Sequence, residues 1–528
     1  MARRLSQLHP LFFALFPALS LAASNTAAVS MRDVWPAAAT SLAAAALLWC
    51  LLRPMLRSWQ KAAVMTSLTL VVFFSYAPLH AASQGWISPR HRYALPLLAL
   101  GLLTAFWGLR RARQEPAALA QVLTFVSVLL VVFTAVRLVR SRGSFFEGGP
   151  TAGSARARAR AGERRDAGAA NLPDVYYVIL DGYASAETLR TVYGFDNREF
   201  IDALKARGFY VADRSHSNYS QTPLSLASST NMEYLNRAIE IPGRETKLLQ
   251  PLYDRIEESR VLRTFREHGY RTVTFQSGWT VTARNRNSDW DVNCGGWSEF
   301  TRVLARTTVL ESLGFFQTIE VQTRNRVLCQ LATLPQIQHR IPGPRYVFAH
   351  VVSPEPPLLF GRNGEAPPPT KDDAVVESGN RPGYVDQVIF LNRSVLAAVD
   401  RILAEARTPP VIVLQGDHGS AATSYRWLYG DSGPPPRGDE PGLDVMLRER
   451  MGILNAYHLP GGPAGLYESI TPVNSFRVIL NRYLGASHRL LDDRSYFSRY
   501  AHPYRWIDVT DRVAVAAGAA PPPASAVR

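Results

Sequence analysis

Cysteine is scarce in this chain, with three residues in 528. A scaffold stapled by many disulfides is excluded by that count, so the fold has to rest on packed cores. Acidic residues are nearly missing at the start: residues 1–136 hold two Asp/Glu against eleven Lys/Arg. A basic globular part is missing too. Of the net charge of +15, residues 1–136 carry +9 and residues 137–171 carry +5, which leaves +1 for residues 172–528. A nucleic-acid binder carries its positive charge on the folded domain, so no nucleic-acid partner is expected, and the charge excess reads as membrane topology.

Five long apolar runs are present, at about residues 8–24, 35–52, 62–80, 92–108 and 117–136. Each approaches the ~20 residues that span a bilayer as a helix. The first, between Arg3-Arg4 and Ala-Ala-Ser, has the outline of a signal peptide, but four more runs follow and it reads as a retained helix. Arg3 and Arg4 precede the first run, Arg53, Arg57 and Lys61 follow the second, and Arg110, Arg111 and Arg113 follow the fourth, so all three groups fall on one side. Placing them in the cytoplasm obeys the positive-inside rule three times and puts the C-terminal part outside. Arg90, Arg92 and the Arg137–Arg142 group dissent, and long translocated domains tolerate such charge.

The expected division is a transmembrane domain over 1–140, an Arg/Gly/Ala-rich linker over 141–171, a catalytic domain over 172–512 and a disordered tail over 513–528. Cys50 lies in an apolar run. A Cys294–Cys329 bridge is possible in an extracytoplasmic domain, although two thiols in a large domain are as a rule unpaired.

From residue 172 short apolar runs end at polar residues: Val175–Leu180 before Asp181, Thr272–Phe275 before Gln276, Tyr346–Ala349 before His350, Val411–Leu414 before Asp417. Amphipathic helical patterns lie between them, over Asn197–Ala206, Leu252–Glu267 and Asp386–Ala406. This alternation predicts an α/β fold around a mainly parallel sheet, whose ligands sit beyond the carboxyl ends of the strands.

Three segments carry chemistry. VYYVILDGYAS delivers Asp181, a hard metal ligand, before a turn at Gly182. In SNYSQTPLSLASSTNMEYL, Pro223 suits the first helical position and makes Thr222 the expected N-cap. A hydroxyl there faces unpaired N–H groups and the positive end of the helix dipole, a setting that favours an alkoxide and its phosphate or sulfate ester. VIVLQGDHGS ends in Asp417 and His418, a pair suited to Zn²⁺ or Mn²⁺. Alone, each segment is also what an ordinary strand end or helix cap looks like.

Taken together, strand-Asp, helix-start Thr and strand-Asp-His resemble the alkaline phosphatase/sulfatase superfamily. Within it the chain is similar to the bacterial membrane-anchored sulfatase-like proteins, the phosphoethanolamine transferases and lipoteichoic acid synthases. The resemblance covers most of the chain and is strongest over Asp174–Ser229 and Tyr346–Arg477. It implies one divalent metal ion, Zn²⁺ or Mn²⁺, held by Asp181, Thr222, Asp417 and His418, with Thr222 as nucleophile. The Thr-x-x-Ser spacing of Thr222 and Ser225 also looks like the transferase pattern. It further implies a multi-pass protein of the bacterial inner membrane with a periplasmic catalytic domain.

His350, in RYVFAHVVSPEPPLLF, is a candidate for substrate contact or leaving-group protonation. Related sequences often carry a His in the Pro-x-Pro-Pro segment, where this chain has Glu355. A carboxylate there repels an anionic substrate unless it is protonated, meets a second cation or faces an amine. His458, in NAYHLP, is a candidate further ligand or substrate contact. The second-metal Asp-x-x-x-His pattern of true phosphatases is absent, so one metal is expected. A Cys/Ser-x-Pro-x-Arg sequence and paired acids after the first strand are absent too, which counts against an ordinary sulfatase. Asn392 and Arg477 read as structural.

The leading expectation is a phosphoryl-type transferase acting on membrane lipid or envelope glycan/lipid substrates through a covalent threonine ester. The alternatives are a phosphate or sulfate ester hydrolase, and a non-enzymatic envelope protein that keeps the fold. Both enzyme readings require Asp181, Thr222, Asp417 and His418 to converge on one point.

Overall fold

The structure is a computed structural model and describes residues 6–25, 29, 31–83, 91–140, 172–238, 245–285, 287–295, 297–312, 319–367, 381–423, 428 and 442–514. The linker expected over 141–171 and nearly all of the expected tail lie outside the described residues. The chain divides into two compact units, one of residues 1–149 with 297–322, the other of residues 150–296 with 323–528.

The first unit holds α1 (His9–Ser24), α2 (Met31–Leu56), α3 (Trp59–Ser83), α4 (His91–Arg111) and α5 (Ala117–Arg140). Among the described residues α2 to α5 contain four spans long and apolar enough to cross a membrane, whereas α1 has 16 residues and is shorter than such a span. The outward surface suits hydrocarbon: Leu97, Leu100, Trp107, Phe125, Leu129 and Phe133 are all exposed. Polar groups turn inward instead, as where His9 Nδ1 meets Ser67 Oγ at 2.6 Å.

Segment 297–322 belongs to this unit although sequence patterning assigned it to the catalytic domain. Its helix α6 (Glu299–Arg306) starts at Ser298, whose side chain accepts from Thr301 N. Phe300 and Leu304 of α6 share a core with Ala18 and Leu19 of α1 and Ala38 of α2. A cavity of about 450 Å³ opens beside it, lined by Phe13, Leu70, Phe74, Leu130 and Leu304, with Ser20 among the polar lining groups.

The second unit is built on a seven-stranded sheet in the order β2-β7-β6-β1-β5-β3-β4. The strands are β1 (Val175–Leu180), β2 (Phe209–Val211), β3 (Arg271–Phe275), β4 (Trp290–Val292), β5 (Arg345–Val351), β6 (Val411–Gln415) and β7 (Asn455–His458). In this sheet β7 runs antiparallel to both of its neighbours, β2 and β6, and the other recorded pairs are parallel. Sequence patterning anticipated β1, β3, β5 and β6, all apolar runs, and the α/β architecture is as expected. It did not find β2, β4 and β7, which are three or four residues long. The helical pattern over 252–267 is two helices, Gln250–Glu257 and Arg260–Glu267, divided where Ser259 caps the second by accepting from Leu262 N.

β1 is buried along its whole length, with apolar layers on both faces. Side chains alternate across a sheet, so Tyr176, Val178 and Leu180 enter one core while Val175, Tyr177 and Ile179 enter the other. The first layer includes α8 (Arg381–Glu405) through Val388, Leu391 and Val395. The second includes α7 (Thr222–Ser229) through Leu224, Leu226 and Ala227, and α10 (Pro472–Leu484) through Phe476 and Ile479. A shorter helix, α9 (Leu443–Met451), packs in a separate cluster with Phe497 and Val509.

Cys294 and Cys329, both of the second unit, form a disulfide with their Cα atoms 5.7 Å apart, on either side of segment 297–322. The bridge possible from sequence is therefore made. Closing a loop with a sequence separation of 35 restricts the unfolded chain and stabilises the fold by on the order of 3–4 kcal/mol. Cys329→Ser is expected to lower the thermal unfolding midpoint by several degrees. Thiol alkylation of the native protein with mass-spectrometric readout is expected to leave Cys294 and Cys329 unmodified until a reductant is added.

Candidate metal centre and nucleophile

Strand register assembles the centre. β1 pairs with β6 so that Ile179 lies opposite Gln415, and with β5 so that Ile179 lies opposite His350. Two residues further on, Asp181 and Asp417 follow adjacent parallel strands at matching positions. Tyr177 and Ile179, Val411 and Val413, and Tyr346 and Phe348 all face the core that contains α7. Continuing that alternation sends Asp181, Asp417 and His350 to the same face, where α7 begins.

All eight residues of α7 are buried. Its N-cap by backbone conformation is Gln221, so Thr222 is the first helical residue and not the cap expected from sequence; Pro223 moves one place into the first turn. The cap position needs an extended backbone, which Gln221 supplies, and this leaves the Thr222 side chain free to reach across. Its Oγ1 lies 2.9 Å from His418 Nε2. Ser225, one turn on, donates from Oγ to the Asp417 carbonyl at 2.6 Å, tying the helix to the strand end.

The four residues converge. His418 Nε2 is 3.3 Å from Asp417 Oδ2 and 3.7 Å from Asp181 Oδ1. His418 Nδ1 donates to the Gly419 carbonyl at 3.0 Å, which leaves the Nε2 lone pair facing the carboxylates. His350 Nε2 lies 3.1 Å from Asp181 Oδ2, and Thr282 Oγ1 meets its Nδ1 at 2.6 Å. Gly182 N donates to Asp417 Oδ1 at 3.1 Å.

Glu355 enters the same cluster. Its backbone N–H donates to the Asp181 carbonyl at 2.8 Å, and its Oε2 lies 3.8 Å from His418 Nε2. The approach depends on Gly182, whose φ is +68° and at which a Cβ would stand 2.8 Å from Glu355 Cβ. Glu355 is 18% exposed where Asp181, Asp417 and the two histidines are sealed, so it marks the mouth.

Arg450 was not found from sequence. It is fully buried, with Nη1 3.2 Å from Glu355 Oε1 and Nε donating to the Ser220 carbonyl at 2.8 Å. The signal was present in α9: Arg450 lies three and four residues from the apolar Leu447 and Met446, on the buried face, where a charge survives only with a partner. Its neighbour Glu449 was missed as well. That carboxylate accepts from Ser420 Oγ at 2.9 Å, Ala422 N at 2.6 Å and Thr423 N at 2.7 Å, fixing the chain just past His418.

The structure does not bring His458 to the centre. Opposite Ile412 on β7, it sits at the amino end of β6, with its Nδ1 2.8 Å from the Pro410 carbonyl. Because β7 runs antiparallel, residues after Asn455 lead away from the site. Arg477 donates to the backbone carbonyls of Met232 and Arg489, and Asn392 Oδ1 accepts from the Tyr183 hydroxyl at 2.5 Å, both structural roles.

Electrostatics make the cluster expensive as it stands. Burial, then the nearby Asp417 and Glu355 charges, hold the Asp181 carboxyl well above the usual range, with Arg450 opposing. Burial pushes His418 down to about 3 and His350 down to about 4. Asp181 Oδ1 and Asp417 Oδ2 are buried acceptors without a hydrogen-bond partner, and the buried ring nitrogen His350 Nε2 has none either. Such atoms cost stability unless something electropositive meets them. Two overlapping groups, Asp181-Glu355-His418 and Asp181-His350-Asp417, each have one ligand atom per residue within 4.8 Å of the others. Oxygen and imidazole donors in this arrangement fit a divalent cation.

No family model matches the chain, and no curated protein matches it. Solved structures similar to it include the C-terminal periplasmic domain of EcEptC from Escherichia coli in complex with Zn, at 12% identity and TM-score 0.41, covering 65% of this chain and 96% of that one. The integral membrane lipooligosaccharide phosphoethanolamine transferase A of Neisseria meningitidis is similar at 12% identity and TM-score 0.36, over 91% of this chain and 95% of that one. The phosphonate monoester hydrolase of Agrobacterium radiobacter is similar at 11% identity and TM-score 0.40, over 62% of this chain and 80% of that one. Likenesses at these TM-scores carry no argument about the reaction, which has to be argued from the residues.

The two depressed histidines set a pH dependence. Below 6.5 the unfolded chain takes up protons at these positions while the folded chain does not, so stability falls as pH drops through 6.5 towards 4. Thermal unfolding of the chelator-treated protein is expected to shift to lower temperature across that window. His350→Asn is expected to flatten the shift.

Proposed function

We propose that this chain is a membrane-bound, divalent-metal-dependent enzyme of the alkaline phosphatase/sulfatase superfamily that transfers a phosphoryl-type group through a covalent Thr222 ester. The observation that carries the proposal is the Thr222 hydroxyl, buried at the start of α7 and 2.9 Å from His418 Nε2, among three carboxylates and two imidazoles with unpartnered acceptor atoms. A structural helix start has no use for that company. A non-enzymatic role is disfavoured on the same ground.

Asp181, Asp417 and His418 would hold the cation beside Thr222, with Zn²⁺ and Mn²⁺ the best matches for mixed oxygen and nitrogen donors. When bound, such an ion lowers the hydroxyl pKa and offsets charge on the transferring group. Thr222 Oγ1 would then attack phosphorus and give up its hydroxyl proton as the bond to the donor's alcohol breaks, and that proton leaves with the alcohol. An acceptor hydroxyl attacks the threonine ester in the second displacement and regenerates Thr222. The start of α7 faces the equatorial oxygens with its dipole. Ser225 keeps the helix and the Asp417 strand end in register through both displacements.

Lipid or lipid-linked envelope substrates are favoured over a soluble ester by the first unit. Tethering alone needs one span, and among its described residues this unit has four helices of spanning length together with an apolar cavity. The Cys294–Cys329 disulfide supports an oxidising compartment for the second unit, in line with a periplasmic site on a bacterial inner-membrane protein.

The test is to incubate the purified protein, supplied with Zn²⁺ or Mn²⁺, with labelled phosphatidylethanolamine or phosphatidylglycerol and to analyse peptides by mass spectrometry. A modified Thr222 peptide is expected, absent in Thr222→Ala, with turnover reduced by at least about 10³-fold in that variant. Release of product to water alone would make the enzyme a hydrolase. No adduct and no turnover with any of these lipids would count decisively against the transfer proposal.

A further inference from the structure

We infer that the cavity inside the first unit is a binding site for one acyl chain of a phospholipid, taken from the leaflet on the side where segment 297–322 packs. The site lies wholly within that unit and is independent of the reaction proposed above.

Three of the helices, α1, α3 and α5, run the same way through the bundle. His9 Nδ1, at the start of α1, meets Ser67 Oγ in the first half of α3 at 2.6 Å. Thr124 Oγ1, early in α5, lies 3.3 Å from the Ser6 carbonyl just before α1. Further along, Phe13 shares a core with Leu70 and Leu130. At the far end Ala22 and Ala23 of α1 share another with Leu138 of α5. Phe300 and Leu304 of α6 join that last core, so α6 covers the end of the bundle where α1 stops.

The cavity of about 450 Å³ follows this direction. A space of that size falls within the range of small-ligand sites, about 300–1,000 Å³. Its lining on α1 begins at Phe13 and ends at Ser24, roughly 16 Å further on at the helical rise. That is close to half of the ~30 Å hydrocarbon thickness, the depth of a single leaflet. The deep end is apolar and closed, with Phe13 and Leu70 each 8% exposed. Hydroxyls gather towards the other end: Ser20 and Ser24 follow Phe16 and Pro17 on α1, Ser75 follows Leu70 and Val71 on α3, and Thr307 follows Leu304. Ser24 and Pro78 are exposed, so the cavity opens at that end. Val71, also on the wall, is 41% exposed, which gives a chain a sideways entry from the bilayer.

Two prolines keep the helices from closing the space. Pro17 and Pro78 lie inside α1 and α3, and both line the cavity. A proline within a helix removes the donor for the carbonyl one turn earlier and bends the helix; here those carbonyls belong to Phe13 and Phe74. Water is a poor occupant of a space walled by phenylalanine and leucine, since a buried water needs several polar partners. A hydrocarbon chain meets every condition. It is the medium around these helices, its length matches one leaflet, and its ester and phosphate groups come to lie beside the hydroxyls at the open end. The chain also completes the seat of α6, because Leu304 both lines the cavity and shares a core with Leu19 of α1.

Photolabelling tests the site without using activity. Full-length protein in detergent, washed free of lipid, would be titrated with phosphatidylglycerol carrying a diazirine at the end of one chain, irradiated, and analysed by peptide mass spectrometry. Labelling of the α1 and α3 peptides that hold Phe13 and Leu70 is expected to saturate and to be competed by unlabelled phosphatidylglycerol. Labelling at Leu97, Leu100 and Trp107, exposed on α4, is expected to rise in proportion to the probe. A diazirine next to the glycerol is expected to move the saturable labelling to the peptides that hold Ser24 and Thr307. Ser20→Phe, which places a ring in the cavity, is expected to lower it at least about ten-fold, as exclusion of a few chain methylenes implies, with α4 labelling unchanged. Ser75→Phe serves if Ser20→Phe fails to fold, with thermal unfolding as the check. Labelling of α1 and α3 that is absent or never saturates, the reverse order of depth for the two probes, or saturable labelling retained in a folded variant overturns the inference. The proposed function stands in each of those cases, since none of them reads turnover.

Discussion

Three carboxylates and two imidazoles share a nearly sealed space beyond the ends of β6, β1 and β5, and the surrounding structure is organised by what that crowding costs. Left without a cation, Asp181 is destabilised by burial and by its two anionic neighbours. Proteins do not retain buried acceptors of this kind without a partner for them. The neighbouring groups are accordingly arranged to keep the donors in place for an ion and not to relieve them. His418 gives its Nδ1 proton away from the cluster, to the Gly419 carbonyl, and Gly182 N takes up one oxygen of Asp417 while the other has no hydrogen-bond partner.

Support for the centre comes from elements distant in sequence. The cores on either side of β1 hold the strand ends at one level. α7 brings a hydroxyl from about forty residues after Asp181, and α9 brings Arg450 from the far side of a long connection. Arg450 is bonded at once to Glu355, to the Ser220 carbonyl just before α7 and to the Gly419 carbonyl just after His418. One guanidinium therefore holds together the three segments that carry Glu355, Thr222 and His418. Glu449, pointing the other way from the same helix end, fixes the chain that follows. The two adjacent charges act as a clamp around the strand-end turn.

Legibility in the sequence followed burial and length. β1, β3, β5 and β6 are interior strands, so their apolar runs stand out, and a polar residue at the end of such a run marks the edge of the sheet where ligands bind. Asp181, His350 and Asp417 were recognisable for that reason. Short strands such as β2 and β7 bury too few residues to leave a pattern, and without β7 the direction of the chain at His458 could not be known; in a parallel strand that residue would have ended near the site. Thr222 was identified for its place beside Pro223, but the one-residue shift in the cap depended on the backbone conformation of Gln221. Arg450 left only the trace of a charge on an apolar helix face. Segment 297–322 has the amphipathic texture of the second unit, and its partners Ala18, Leu19 and Ala38 are known only from packing.

Glu355 is where these strands of argument meet. A carboxylate at the mouth of a site for an anionic group looks like a fault if it is considered as a substrate contact. Its position argues otherwise. Its backbone is bonded to Asp181, one of its oxygens is neutralised by Arg450, and the other is turned towards His418 Nε2. A group held this way on both sides is not free to swing out towards a substrate. Its remaining oxygen is available to a cation at His418, and the salt bridge to Arg450 limits how much negative charge it presents to the opening. The departure from the histidine of related sequences thus puts an oxygen in place of a ring nitrogen at the candidate cation site, and Arg450 offsets the negative charge that the change brings.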